Sequence, residues 1–520
     1  MSHIAQVTEA VRASEPGAGS TSSSARRVER LLAGVAVFLG LLLLGIFFGV
    51  PYLPMVDLPQ HAAQISVWLH LGDKSFAGVE NFRVNLRTPY LTGYALARWL
   101  GAWLGVVPGL KLAIWLSVVA QFGAFALLVR KLGHPFWVSL FGLPFAFGYS
   151  FYFGFVSFLA AVPFVLLALT LALWHRERAS VLTGSALALA LAGAVVSHGF
   201  ACGVALAMVG PLLLRGAGHF FVRVAPLGAP LLVSWLLLSD GDSARKIGAT
   251  IWDPRFFELA QVPSLMLSAS GGDAAATAFG VFMLAAMSLG VGRPSREPER
   301  WLPLLLVVAG FCLFPAVMGG FGPLHPRFAS FFPAALLLGF EPKNAPGFKL
   351  LPGVAAALCG AWCAVFGVRT YAFSQEAAPV RNWVKQMPAG LRVRPIVFER
   401  ESEAFPGAPM HLHMSAYYLA EKGGIQGYSF AMYPTSVIRY VPGFVPGMGG
   451  GAEWHPERFS ALKDVPRFDC FLVHSEMDRS VSLFGDLLSQ VELVFHEGNW
   501  WAYRVRPQVS VRRQKRSWVL

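Results

Sequence analysis

The chain of 520 residues is 55% hydrophobic and only 14% charged, with a mean hydropathy of +0.54, which excludes a soluble globule and marks a polytopic α-helical membrane protein. Its net charge of +13 does not point to a nucleic-acid partner, because Lys and Arg cluster at the ends of apolar runs and in the tails. Topology and contact with membrane lipid headgroups account for them there.

Residues 1–30 are rich in Ser, Ala, Gly and Arg, lack apolar periodicity and read as a disordered N-terminus. Arg26, Arg27 and Arg30 precede the first apolar run and place that terminus in the cytoplasm. Leu31 to Val50 carries no charge and as a helix is about 30 Å long, the thickness of a hydrocarbon core, so it reads as a retained anchor. Pro51 and Pro54 stop it, leaving Asp57 near the membrane surface in a first outer loop, 51–88. Pro59 fits the first turn of a new helix with Asp57 or Leu58 at its cap. Apolar residues from Ala62 to Leu71 interspersed with Gln60, His61, Gln64, Ser66 and His70 suggest that this helix lies along the interface.

Further apolar runs at 89–107, 109–129, 135–150, 153–174, 180–196, 199–214, 219–238, 275–292, 301–319, 327–340 and 348–370 bring the expectation to about 11 to 12 transmembrane helices in a domain covering 31–371. Basic clusters at Arg130/Lys131, His175 to Arg178, Arg215, Arg293 to Arg300 and Lys343 alternate with less basic loops, which orients the clusters inward. Three full crossings before Arg130 would break that pattern. A re-entrant or interfacial helix at 89–107 restores it.

After residue 371 charge becomes frequent and apolar runs shorten to strand length, at Arg394–Glu399, Asp469–His474, Val491–His496 and Trp500–Val505, the last two joined by a Gly-containing turn. Helical patterns lie at 377–387, 411–422 and 479–490. Residues 372–507 therefore read as a small soluble α/β domain, extracytoplasmic on the preferred topology and on the same side as Asp57. Residues 508–520 form a basic tail. The cysteines at 202, 312, 359, 363 and 470 lie mostly within apolar runs and make no disulfide framework.

Asp57 and His61 are four apart and share a helix face. A carboxylate beside an imidazole suits a general base on an acceptor hydroxyl, a metal ligand or a sugar-phosphate clamp. Equally, Asp57 is a favoured cap residue and His61 an interfacial polar group. His198 interrupts about 35 apolar residues beside Gly199, either as a solvated turn between two spans or as a site residue facing a cavity. Gly320-Phe-Gly-Pro-Leu-His-Pro-Arg327 sets His325 and Arg327 at the end of a short apolar run, where an arginine fork suits a phosphate or snorkels to lipid. Arg98 within 89–107 reaches for a lipid-linked phosphate or pairs locally. Asp253 and Arg255, beside Trp252, Phe256 and Phe257, fit a loop over a cavity or an interfacial belt. His411, His413 and His474 have no metal-binding spacing, so no metal ligand is assigned. The glycines at 447, 449, 450 and 451 form a loop and no phosphate-binding motif.

One span, then an outer loop with an early acid in Val56-Asp-Leu-Pro-Gln-His61, Pro89-Tyr-Leu-Thr-Gly-Tyr94 after it, many short spans and a soluble domain on the loop's side together resemble the GT-C superfamily of membrane glycosyltransferases. The resemblance implies an inner-membrane enzyme that moves a sugar from a polyprenyl-phosphate donor to an extracytoplasmic acceptor. Carried over, Asp57 would be the first-loop carboxylate that acts as catalytic base or metal ligand and Arg327 a phosphate-binding residue; beside them His61 is a second catalytic candidate, and His325, His198 and Arg98 are further substrate-binding candidates. The chain departs from that pattern in lacking an adjacent acidic pair after the first span, and Asp240-Gly-Asp242 comes later than the family places such a motif. A divalent metal is thus an open cofactor. A lipid or solute transporter or flippase is the alternative in a second class, although no internal repeat supports it. A non-enzymatic membrane assembly protein is the third. The oligomeric state leaves no trace in the sequence.

Overall fold

The computed structural model describes residues 18–238, 249–318, 322–342, 349–444 and 451–506. The expected basic tail, Lys343, the Asp240-Gly-Asp242 motif and the glycines at 447, 449 and 450 lie outside these residues, as does the N-terminal stretch 1–17.

The chain folds as a polytopic helical membrane protein. Helix α1, Ala18–Gly49, starts well before Leu31 and carries Arg26, Arg27 and Arg30, so the part of 1–30 that is described is helical where disorder was expected. Six helical segments among the described residues are long and apolar enough to cross a membrane: Arg26–Gly49, Val106–Lys131, Val156–Glu177, Phe220–Leu237, Ala274–Val291 and Leu351–Gln386. The other apolar runs fold into shorter pieces. Helix α2 is Leu58–Leu69, and α3, Leu91–Leu104, is 14 residues, about 21 Å, too short for a full crossing. It packs as a hairpin on α4, Val106–Lys131, with Gly109 seated against the backbone of Gly101, where a Cβ would come within 2.4 Å of the Gly101 nitrogen. The run 135–150 becomes two 3-10 turns, Phe136–Gly142 and Pro144–Ala146, then the single turn Tyr149–Tyr152, because Pro135, Pro144 and Gly148 interrupt it. Irregular backbone is tolerated at such depth only inside protein, and this stretch is buried almost throughout.

Helix α5, Val156–Glu177, is followed by α6, Val181–Ser197, and α7, Gly199–Leu213. His198 sits between α6 and α7 in an extended conformation, ending one helix and starting the next. Helices α8, Gly228–Leu238, α9, Ala274–Val291, and α10, Leu302–Leu313, follow. Arg327 then lies in a buried 3-10 segment, His325–Phe331.

Helix α11, Leu351–Gln386, runs without a break from the apolar stretch into the soluble domain, so the composition change near 371 falls inside one helix. With β1 as Phe82–Val84 in the first loop, the domain contributes β2, Arg392–Val397, α12, Ala416–Lys422, β3, Ile425–Gln426, β4, Ile438–Tyr440, the short α13, Gly451–Trp454, β5, Cys470–His474, β6, Val491–Glu497, and β7, Trp500–Val505. Its sheet has the order β3-β2-β5-β7-β6. Strands β2, β3 and β5 are parallel, and the β6–β7 hairpin turns at Gly498, φ +56°, to close the sheet antiparallel.

Two contacts fix this domain over the first loop. Strand β1 pairs antiparallel with β4, Phe82 opposite Tyr440 and Val84 opposite Ile438. Helix α2 does not lie along a lipid interface as expected. It is buried from Leu58 to Val67, its Ala63 and Val67 packing with Ala416, Leu419 and Ile438 of the soluble domain. Two of the polar residues that suggested an interface bond to the backbone of that domain: the Gln60 amide donates to Tyr428 O at 3.2 Å and accepts from Phe430 N at 3.2 Å, and Ser66 donates to Ala420 O at 2.6 Å. The first loop and the soluble domain therefore lie on one face.

Candidate functional site

The prolines after α1 turn the chain so that Val56 N and Asp57 N donate to the carbonyls of Tyr152 and Phe153 at 2.8 and 3.1 Å. Gly154 makes this approach possible. Its φ is +78°, and a Cβ there would lie 2.9 Å from Asp57 N. Asp57 begins α2 through its backbone carbonyl, which accepts from His61 N at 3.1 Å, but its carboxylate makes no cap hydrogen bond. The carboxylate is left for the cavity beside it.

That cavity has a volume of about 330 Å³ and is lined by Asp57, His61, His198, Arg327 and His413 among a set of aromatic side chains. It lies where the first loop, the break between α6 and α7, the 3-10 segment of Arg327 and the soluble domain meet. Burial raises the Asp57 carboxyl to about 6; His413 and Arg327 oppose that rise and Glu453 adds to it. Burial also holds the His61 imidazole down at about 3, so it is neutral, and its Nδ1 lies 2.5 Å from the Tyr94 hydroxyl. His61 therefore fixes Tyr94 and the cavity wall and carries no charge.

Arg327 lines the same cavity, its guanidinium stacked 3.8 Å from the centre of the Phe155 ring and its Nη1 3.4 Å from His198 Nε2. For that bond His198 Nε2 must be the unprotonated acceptor. The His198 ring is boxed edge-on by Tyr90 and Phe158, which hold it in place. Both side chains are buried, and Arg327 Nε has no hydrogen-bond partner among the described residues.

The soluble domain adds two residues that the sequence did not mark. His413 Nε2 lies 3.6 Å from Asp57 Oδ1, while its Nδ1 and its backbone N–H reach the two oxygens of Glu453 at 2.9 and 2.7 Å. The spacing of His411 and His413 spoke only against a metal, and nothing in Gly451-Ala-Glu-Trp454 distinguishes Glu453 from a surface acid. Only the fold brings 57, 413 and 453 together.

Two of the expected donor-binding residues are elsewhere. Arg98 stacks on Trp68 at 5.2 Å, and His325 Nε2 faces Glu258 at 3.1 Å with Phe311 edge-on; neither lines the cavity. Asp253 pairs with Arg255 at 3.3 Å beside the exposed Trp252 and Phe257, also outside the lining.

The donor set does not suit a divalent cation. Magnesium and calcium take several oxygen ligands, yet among the described residues Asp57 is the one carboxylate lining the cavity, both Glu453 oxygens are engaged by His413, and Arg327 contributes a positive charge. Among the described residues no group of three His, Cys, Asp or Glu side chains is placed to hold a metal ion.

No family model matches the chain, and no curated protein matches it. Among solved structures it is similar to a mycobacterial arabinofuranosyltransferase, AftD, determined by single-particle cryo-EM, with a TM-score of 0.49 and 13% identity over 92% of this chain and 40% of that one. The chain thus spans well under half the length of that protein. At this level the likeness does not decide fold or activity.

Proposed function

We propose that the protein is a membrane glycosyltransferase that moves a sugar from a polyprenyl-phosphate donor to an acceptor hydroxyl on the face where the soluble domain sits, which this reading makes extracytoplasmic. The observation that carries the reading is the meeting of a carboxylate not used as a helix cap, Asp57, and a stacked guanidinium, Arg327, in one aromatic-lined cavity of about 330 Å³.

The chemistry follows from these two groups. Arg327, held flat by Phe155 and oriented by His198, presents N–H donors to the donor phosphate and to the charge that grows on it as the anomeric carbon–oxygen bond breaks. Asp57 takes the proton of the acceptor hydroxyl as that oxygen bonds to the anomeric carbon. A carboxyl raised to about 6 is ionised near neutrality yet a stronger base than an exposed one. Tyr90, Tyr94, Tyr428 and Trp454 supply flat faces and hydroxyls of the kind that hold a sugar ring.

The test is Asp57→Asn in the full chain, purified into lipid nanodiscs and supplied with a panel of polyprenyl-phosphate pentoses and hexoses. Release of polyprenyl phosphate from one of them is expected to fall by at least about 100-fold, the usual weight of a positioned base. Turnover equal to that of the unmodified protein removes Asp57 from the chemistry and the reading with it.

A further inference from the structure

His413 is the one non-glycine residue with positive φ, +65°, among the described residues. A side chain in that region is strained, and such strain persists where surrounding contacts impose it. Here the contacts are visible. Glu453, buried in α13, accepts from the His413 backbone N–H at 2.7 Å and from Nδ1 at 2.9 Å, so one carboxylate clamps both backbone and ring. Tyr428 stacks on the ring at 5.1 Å with an interplanar angle of 17°, and Phe430 and Trp454 close its edges. The His413 Nε2 lies 3.6 Å from Asp57 Oδ1.

We propose that His413 and Glu453 are positioning residues for Asp57: Glu453 holds His413 as an imidazolium whose Nε2–H faces one carboxylate oxygen, keeping Asp57 ionised and its other oxygen free for the acceptor proton. This deepens the transferase reading and rests on it. In the transfer step the acceptor O–H bond breaks as its oxygen bonds to the anomeric carbon, the proton goes to Asp57, and the electron pair of the broken glycosyl bond leaves on the donor phosphate. His413 keeps both of its protons.

The surrounding charges agree with this assignment. Burial works against a charged His413, but Glu453 and then Asp57 outweigh it, so the ring binds its proton more tightly than an ordinary histidine. The other groups that act on the pair are Arg327 and the neutral His61, which line the same cavity, and the hydroxyls of Tyr90, Tyr94, Tyr149 and Tyr428, while the Arg394 guanidinium feels the charge of Glu453. Removing Glu453 has two opposed effects on Asp57: a repelling anion is lost, and the His413 cation is lost. The His413 influence is the larger, so the net expectation is an Asp57 that is harder to ionise.

The experiment needs no substrate. In the full chain in nanodiscs, His413 is observed by solid-state NMR with nitrogen-labelled histidine, its signals assigned by their loss in His413→Gln. Asp57 is followed by infrared titration of its carboxyl band, assigned by its loss in Asp57→Asn. At about pH 6.5, the ordinary histidine midpoint, more than half of His413 should be imidazolium, and Asp57 should titrate near 6. Glu453→Gln should turn His413 neutral and move the Asp57 midpoint up by about one unit, with Glu453→Asp restoring much of both. A neutral His413 in the unmodified protein, or an unmoved Asp57 midpoint in Glu453→Gln, overturns the proposal. Should the Gln variant not fold, the unmodified His413 spectrum and the Asp variant decide. Either failure leaves the transferase reading to its own turnover test.

Discussion

Asp57→Asn, expected to lower turnover by at least about 100-fold, should also make the protein more stable. The Asp57 carboxyl is raised from 3.8 to about 6, chiefly by burial, with its side chain only 17% exposed. Roughly two pKa units at about 1.4 kcal/mol each mean that holding this group ionised in the fold costs about 3 kcal/mol at neutral pH. Between about pH 4 and 6 the native protein keeps a proton that the unfolded chain has released, so this contribution to stability falls as pH rises through that window and the full cost is present above it. Asparagine has the same shape and no charge. Unfolding midpoints in detergent should therefore lie higher for Asp57→Asn than for the unmodified protein at pH 7.5, and the gap should close toward pH 4. The gain is at most about 3 kcal/mol, because His413 loses an anion it now faces. A variant equal to or less stable than the unmodified protein at pH 7.5 would show that the carboxylate is not held at a cost and would refute the electrostatic account of the site.

Arg327→Lys keeps the charge but loses the planar fork that lies on Phe155 and reaches His198, so binding of polyprenyl phosphate to the protein in nanodiscs should weaken by about tenfold; unchanged affinity would take the phosphate role from this residue. Gly154→Ala places a methyl group 2.9 Å from Asp57 N at a φ of +78°. It should cost about 1 to 2 kcal/mol in unfolding measurements and lower turnover with Asp57 intact, whereas a neutral effect would mean that the turn at 154 does not set the position of the acid.

What the sequence makes legible here is local. Pro51 and Pro54 end α1 where expected, His198 and Gly199 split one long apolar run into two helices, and the hairpin around Gly498 follows from its flanking alternation. The same logic misleads wherever the partner is distant. Gln60 and Ser66 suggested an interface because a polar side chain on an apolar helix needs a hydrogen-bonding medium, and the sequence does not say whether that medium is headgroup, water or the backbone of residues near 420 to 430. Arg98 and His325 likewise announce that a charge needs a neighbour, and the neighbours are Trp68 and Glu258, away from the cavity. Short spans are also hard to count from hydropathy, since a run such as 135–150 is apolar enough to cross but too interrupted to form one helix.

Arg327 shows why these scattered groups belong together. A guanidinium removed from water is costly unless an anion or several acceptors meet it. Among the described residues it has a ring beneath it, one imidazole nitrogen at 3.4 Å and an unpartnered Nε, while the nearby carboxylate, Asp57, is itself held toward neutrality by burial and faced by His413. The surroundings of Arg327 are thus under-supplied with negative charge, and Asp57 already faces His413, whose proton Glu453 and Asp57 hold more tightly than an ordinary histidine's. A ligand that brings an anionic oxygen to Arg327 and a neutral hydroxyl to Asp57 satisfies both groups at once. A phosphate-linked donor and a hydroxyl acceptor are such a pair, and they complete the cavity only when the soluble domain, which supplies His413 and Glu453, is seated on the first loop.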